Sequence, residues 1–95
     1  MPVEDLESLR SELDVIDRSL LEAVRDRLNV CIRIAEFKRD QDVAMLQPHR
    51  IAFVQDRAAA FGAEHSIDGD FLRRLYDLLI EETCRVEDLV IAEDA

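Results

Sequence analysis

Arg27 occupies a slot where its neighbours call for an apolar side chain. From Leu6 a three-four spacing runs Leu6, Leu9, Leu13, Ile16, Leu20, Ala23, Arg27, Val30, Ile34, Phe37, and nine of these ten positions are apolar. A guanidinium buried on such a stripe costs several kcal/mol unless it is paired or meets an anion. Two roles fit: a polar residue fixing the register of a helical interface, or a fork for a ligand carboxylate. Lys38 follows eleven residues later, about three turns on, and returns to nearly the same face. It is the only lysine beside eleven arginines. Alone it would pass as a solvated cation complementing a helix C-terminus. Thr83 and Glu87 are four apart and extend the line of Tyr76 and Ile80, so a hydroxyl and a carboxyl share one inward-leaning face. The alternative is a stripe edge, with Glu87 paired to Arg85 or another arginine. Arg50, just after Pro48, either adds a cation to the same cavity or is a surface residue. Arg10 lies about 100° round the helix from Arg27, so one helix cannot aim both at one point, whereas two antiparallel or crossed copies can. Several cations with one carboxyl in an all-helical setting suit a small dicarboxylate, its carboxylates gripped by arginine forks.

These residues need long helices to carry them. The segment from about Val3 to Arg39 holds no Gly and, after Pro2, no Pro, so the spacing predicts one helix over it. At about 1.5 Å per residue that helix is roughly 55 Å long. A compact chain of 95 residues has a radius of gyration of only about 13 Å. The rest of the chain cannot cover the stripe, and a second copy of the same chain is the simplest partner. Asp40 to Gln47 breaks the pattern and reads as a loop, with Met45 a packing side chain. Pro48 suits the first turn of a second helix, since its missing N–H needs no partner there. Ile51, Val54, Ala58 and Phe61 form that helix's stripe, and Gly62 is expected to end it. Ala63 to Asp70 reads as a connector, with Asp68 as N-cap and Asp70 in the first turn of a third helix. That helix is expected from about Gly69 to Ala92, with Phe71, Leu72, Leu75, Tyr76, Leu79, Ile80, Val86 and Val90 on a wide apolar face. The fold class is all-α: three helices, long–short–long, in a single domain over residues 1–95.

Composition narrows the function. The net charge is −10, from 22 acids against 12 bases, which argues against nucleic acid and anionic lipid as partners. Aromatics are 5% and Trp is absent, leaving few groups for base stacking. No apolar run approaches the roughly 20 residues needed to cross a bilayer. The start lacks the features of a secretion signal, so a cytoplasmic protein is expected. Cys31 and Cys84 sit in apolar helical patterns and are expected to be reduced packing thiols. His49 and His65 read as isolated surface residues. No His/Cys cluster has metal-ligand spacing and no Gly-rich phosphate loop exists, so neither metal nor cofactor is expected.

At these residues the chain resembles the all-helical chorismate mutase family. The likeness runs from Leu6 to about Ile91, carried by Leu9-Arg10-Ser11-Glu12-Leu13-Asp14-Val15-Ile16-Asp17, Arg27, Ala35-Glu36-Phe37-Lys38, Gln47-Pro48-His49-Arg50 and Leu75-Tyr76-Asp77-Leu78-Leu79-Ile80-Glu81-Glu82. The resemblance implies an intertwined homodimer of three-helix chains, each site borrowing an arginine from its partner's first helix. It places that arginine at Arg10. It implies that Arg10 and Arg27 clamp substrate carboxylates and that Lys38 donates to the ether oxygen of the breaking bond. Glu87 would contact the same oxygen, Thr83 would sit beside a carboxylate, and Arg50 would line the site. The implied reaction is a Claisen [3,3] rearrangement. It leaves the protein two tasks: holding the enolpyruvyl arm over the ring, and stabilising charge that grows on the ether oxygen.

The chain departs from the common family pattern at two places. Glu87 stands where many members have glutamine, and as a donor it must be protonated, because a carboxylate only accepts. Gln47 and Ile51 stand where many members have acids that recognise the ring C4 hydroxyl. Met45-Leu46-Gln47-Pro48-His49-Arg50 and Cys84-Arg85-Val86-Glu87-Asp88-Leu89-Val90 resemble the 4-amino-4-deoxychorismate mutases of antibiotic pathways, with Gln47 a candidate substrate contact. That subgroup is the expectation. A general chorismate mutase, an isochorismate pyruvate-lyase and a non-catalytic helical dimer are the alternatives.

Overall fold

Asp5 starts the first helix. Its Oδ1 accepts the Ser8 backbone N–H at 2.8 Å, satisfying one of the donors that a helix start leaves unpaired. The computed structural model describes residues 5–41 and 48–93. Its elements are α1 (Leu6–Asp40), α2 (Pro48–His65) and α3 (Gly69–Glu93). The long–short–long order of the sequence reading holds, and no strand occurs among the described residues. The expected start near Val3 lies outside the described residues; within them Asp5 serves as cap and α1 begins at Leu6. Lys38 and Arg39 lie in the last turn of α1, where cations complement the helix dipole.

The chain divides into two units, residues 1–30 and 31–95. In the first, the described residues are helical from Leu6 and their apolar stripe faces solvent. Leu13 is 55% exposed and Ile16 62%, and Leu6, Leu9 and Leu20 are similar. Surface ion pairs such as Arg18 with Glu22, at 2.9 Å, decorate this segment and contribute little to stability.

The second unit has its core between helices. α2 packs on α3 through Val54, Ala58 and Gly62, buried positions at spacings of four. Their small side chains let the two backbones approach. Ala35 at the end of α1 is fully buried, and Val90 on α3 is nearly so. Polar staples join α2 to α3 at the surface. Arg73 donates to Asp56 at 3.0 Å, and Gln55 donates to Asp77. No large side chain is fully buried among the described residues.

Gly62 does not end α2, contrary to expectation. The helix continues to His65, so the expected connector from Ala63 is helical in its first three residues. The stop is Ser66, which takes a left-handed φ of 58°. The Ile67 N–H then reaches back to the Gly62 carbonyl at 2.9 Å, the closing bond of a Schellman cap. Gly62 is needed for close approach. A Cβ there would lie 2.6 Å from the Ile67 carbonyl oxygen and 2.9 Å from Leu72 Cδ1. Asp68 does precede α3, and its carbonyl accepts the Leu72 N–H at 3.2 Å.

Candidate active site

Glu87 is the buried ionisable residue of the second unit, 8% exposed on α3. Burial pushes its carboxyl above the ordinary glutamate range; Lys38 pulls it back and Asp88 adds to the rise. The net direction is upward, so desolvation outweighs the attraction of the ammonium. Burial likewise raises the Cys84 thiol, helped by the charges of Glu87 and Asp88 and opposed by Lys38. Lys38, Cys84, Glu87 and Asp88 therefore share one electrostatic neighbourhood, in which Lys38 is half-buried. Arg85, one of the alternative partners for Glu87, pairs instead with Glu82. An ammonium beside a carboxyl that burial shifts toward its neutral form makes a pair of donors whenever that carboxyl is protonated. Such donors suit negative charge that appears only during a reaction.

Thr83 lies one turn before Glu87. Its hydroxyl donates to the Leu79 carbonyl at 2.8 Å. Cys31 Sγ lies 3.6 Å from the Thr83 hydroxyl oxygen. A hydroxyl has one proton, and with that proton on Leu79 the thiol is the donor. In this arrangement Thr83 offers lone pairs rather than a proton. Both cysteines are half-buried thiols.

Arg27, in the first unit, is half-buried, and Arg10 is exposed. Arg50 at the start of α2 is exposed, its guanidinium 5.0 Å from the centroid of the Phe53 ring, with Arg57 on the same ring at 5.4 Å. Ile51 is half-buried. Gln47 and Met45 lie outside the described residues. His49 and His65 are exposed, as expected, but His65 is not isolated: its ring stacks near Phe61 with centroids 4.1 Å apart. The sequence reading missed Arg39, which donates through Nη1 to the Val90 carbonyl at 3.4 Å. A basic residue in the last turn of a helix carries no sign of such a reach.

An all-helical chain with a half-buried lysine beside a buried glutamate, its carboxyl shifted upward by burial, has the outline of a helical mutase. The chain belongs to the chorismate mutase type II family of isomerases, whose family model matches residues 9–88. It is 56% identical to a 4-amino-4-deoxychorismate mutase of Streptomyces pristinaespiralis, over 92% of this chain and 67% of that protein. It is 47% identical to a 4-amino-4-deoxychorismate mutase of Streptomyces venezuelae, over 96% of this chain and 88% of the relative. A chorismate mutase of Methanocaldococcus jannaschii is 27% identical over 83% of this chain and 80% of its own. No solved structure gives a significant match. Among the described residues no helix is long and apolar enough to cross a membrane.

Proposed function

We propose that this chain catalyses the [3,3] rearrangement of 4-amino-4-deoxychorismate to 4-amino-4-deoxyprephenate. The observation that carries the choice of substrate is its 56% and 47% identity to two proteins of that name. The burial of Glu87 beside Lys38 supports the chemistry. Lys38 donates to the ether oxygen as the C–O bond breaks. Glu87 donates to the same oxygen in its protonated form, which burial favours over the anion. Arg27 and the partner's Arg10 fork onto the substrate carboxylates, and Thr83, Arg50 and Gln47 complete the lining. The rearrangement needs no covalent intermediate, so catalysis consists of holding the reactive fold of the substrate and meeting charge with fixed donors.

The functional form is a homodimer of single-domain chains working in the cytoplasm. Its support is the exposed stripe of Leu9, Leu13, Ile16 and Leu20 on α1, a surface that needs a cover. A second reading, rearrangement of chorismate itself, is favoured by the family match and the Methanocaldococcus relative. Initial rates with both substrates side by side decide between them. The expected result is a higher kcat/KM for the amino substrate. Equal or better use of chorismate would make the chain a general mutase. In the same assay Arg27→Ala is expected to abolish turnover while leaving a folded dimer. Retained turnover would remove Arg27 from the site.

A further inference from the structure

The end of α1 is tied to α3 by a side chain that the proposed chemistry leaves unused. The Arg39 side chain is only 27% exposed. Its Nε donates to Asp40 Oδ1 at 3.3 Å and its Nη1 to the Val90 carbonyl at 3.4 Å. Asp40 contributes little energy as an exposed partner. Val90 lies in the last turn of α3, which ends at Glu93, where the carbonyls carry the negative end of the helix dipole. A cation donating there complements the dipole.

The two ends of this bridge flank the reacting pair. Arg39 directly follows Lys38. Val90, 6% exposed, lies three residues past Glu87, on the next turn of α3. Lys38 carries its ammonium on a long, flexible stem at the last turn of α1, where helices fray. We propose that Arg39 is a positioning residue, whose bridge to the Val90 carbonyl holds the last turn of α1 at α3 and so keeps Lys38 beside Glu87. The proposal rests on Lys38 and Glu87 being the working pair. The charges acting on Glu87 come from α1 and α3: Lys38 lowers its carboxyl, Asp88 raises it, and the Cys84 thiol lies within the same field.

Arg39→Gln and Arg39→Lys in the full-length chain provide the test, each read in two ways. Steady-state kinetics over pH give kcat and KM. Carbon NMR of the Glu87 carboxyl in the unliganded protein gives its titration midpoint without any turnover. In Arg39→Gln, kcat on the acid side is expected to fall about tenfold, equivalent to about 1.4 kcal/mol. KM should change less, because the donation to the ether oxygen is made in the transition state. The Glu87 midpoint should move to higher pH as the pull of Lys38 weakens. Arg39→Lys keeps the charge but loses the fork, and it should show the same direction in both measurements. A wild-type kcat and midpoint in Arg39→Gln would overturn the proposal. Full restoration by Arg39→Lys would also overturn it, reducing the effect to net charge. If Arg39→Gln does not fold, Arg39→Lys decides alone. Absence of wild-type turnover on either substrate would sink the functional reading, while the titration would still settle the role of Arg39.

Discussion

Replacing Glu87 with glutamine tests whether the proton on this carboxyl takes part in the reaction. Glutamine keeps the shape and donates at every pH, whereas glutamate donates only when protonated. Burial has moved the Glu87 carboxyl upward from its ordinary value of 4.5, against the opposing pull of Lys38. Below its midpoint both donors are in place. Above it the glutamate is an anion that pairs with Lys38 and sets negative charge against the oxygen where negative charge must grow. Loss of one such donor costs about 10²–10³ in kcat. The protonated fraction falls tenfold per pH unit beyond the midpoint. The wild-type rate should therefore decline over about two to three pH units before levelling at that lower plateau. Glu87→Gln should remove the declining limb and hold the rate near the acid plateau of the wild type. The assay is the initial rate of rearrangement, followed from acid to alkaline pH on both proteins at saturating and at limiting substrate. A flat wild-type profile, or a glutamine variant that follows the same descending limb, would refute the donor role.

Folding gives an independent reading of the same group. A carboxyl whose midpoint is raised by folding contributes stability that is complete below its unfolded value and disappears as pH rises through its folded value. The raised midpoint of Glu87 is thus a cost to the native state at neutral pH, and glutamine is spared that cost. Glu87→Gln should melt above the wild type at neutral pH and level with it under acid conditions, below the ordinary value of 4.5. A variant equally stable or less stable at neutral pH would mean that the carboxylate is not paying desolvation in the native state.

The proposed dimer and the α2–α3 packing yield two further expectations. Ile16→Asp places a carboxylate in the exposed stripe of α1, where Ile16 is 62% exposed in the protomer. Burying an unpaired charge costs several kcal/mol per copy. Sedimentation should show monomers, and turnover should vanish with the loss of the partner's Arg10; an intact, active dimer would place the interface elsewhere. Gly62→Ala gains about 1 kcal/mol of helix propensity, but its Cβ meets the Ile67 carbonyl at 2.6 Å. A backbone atom cannot give way cheaply, so a net loss of about 1–3 kcal/mol is expected. Thermal melting checks this, and an unchanged or higher Tm would show that the cap relaxes without strain.

The helices were legible because periodicity is a local property. An unbroken three-four spacing and the absence of Gly and Pro announce α1, Pro48 announces the start of α2, and the register of Tyr76, Ile80, Thr83 and Glu87 places the carboxyl on the buried face of α3. The failures share one cause. Gly62 read as a helix stop because glycine commonly plays that part, whereas its role here is set by the carbonyl of Ile67 and the side chain of Leu72. Ser66, with no sequence mark of a left-handed conformation, does the stopping instead. Arg39 looked like any cation in a last turn, because its acceptor is a backbone carbonyl about fifty residues away. Period and propensity describe what a residue does for its own element. What one element does for another is decided by atoms that tertiary structure alone brings within reach.

The polar residues were readable for the opposite reason. Arg27, Lys38 and Glu87 drew attention because each interrupts, or shares a face with, an apolar stripe, and a charge in such a place needs a partner or a ligand. For Glu87 the structure supplies the physical consequence: the carboxyl is nearly out of solvent and is shifted toward its neutral form even with an ammonium nearby. If pairing with Lys38 were the main purpose of this glutamate, exposure to water and a lowered midpoint would serve better, because the anion is the form that pairs. A site that raises the midpoint favours the acid, the only form of this side chain able to donate. Burial thus argues for a hydrogen-bond donor at residue 87, the property a glutamine would have by default.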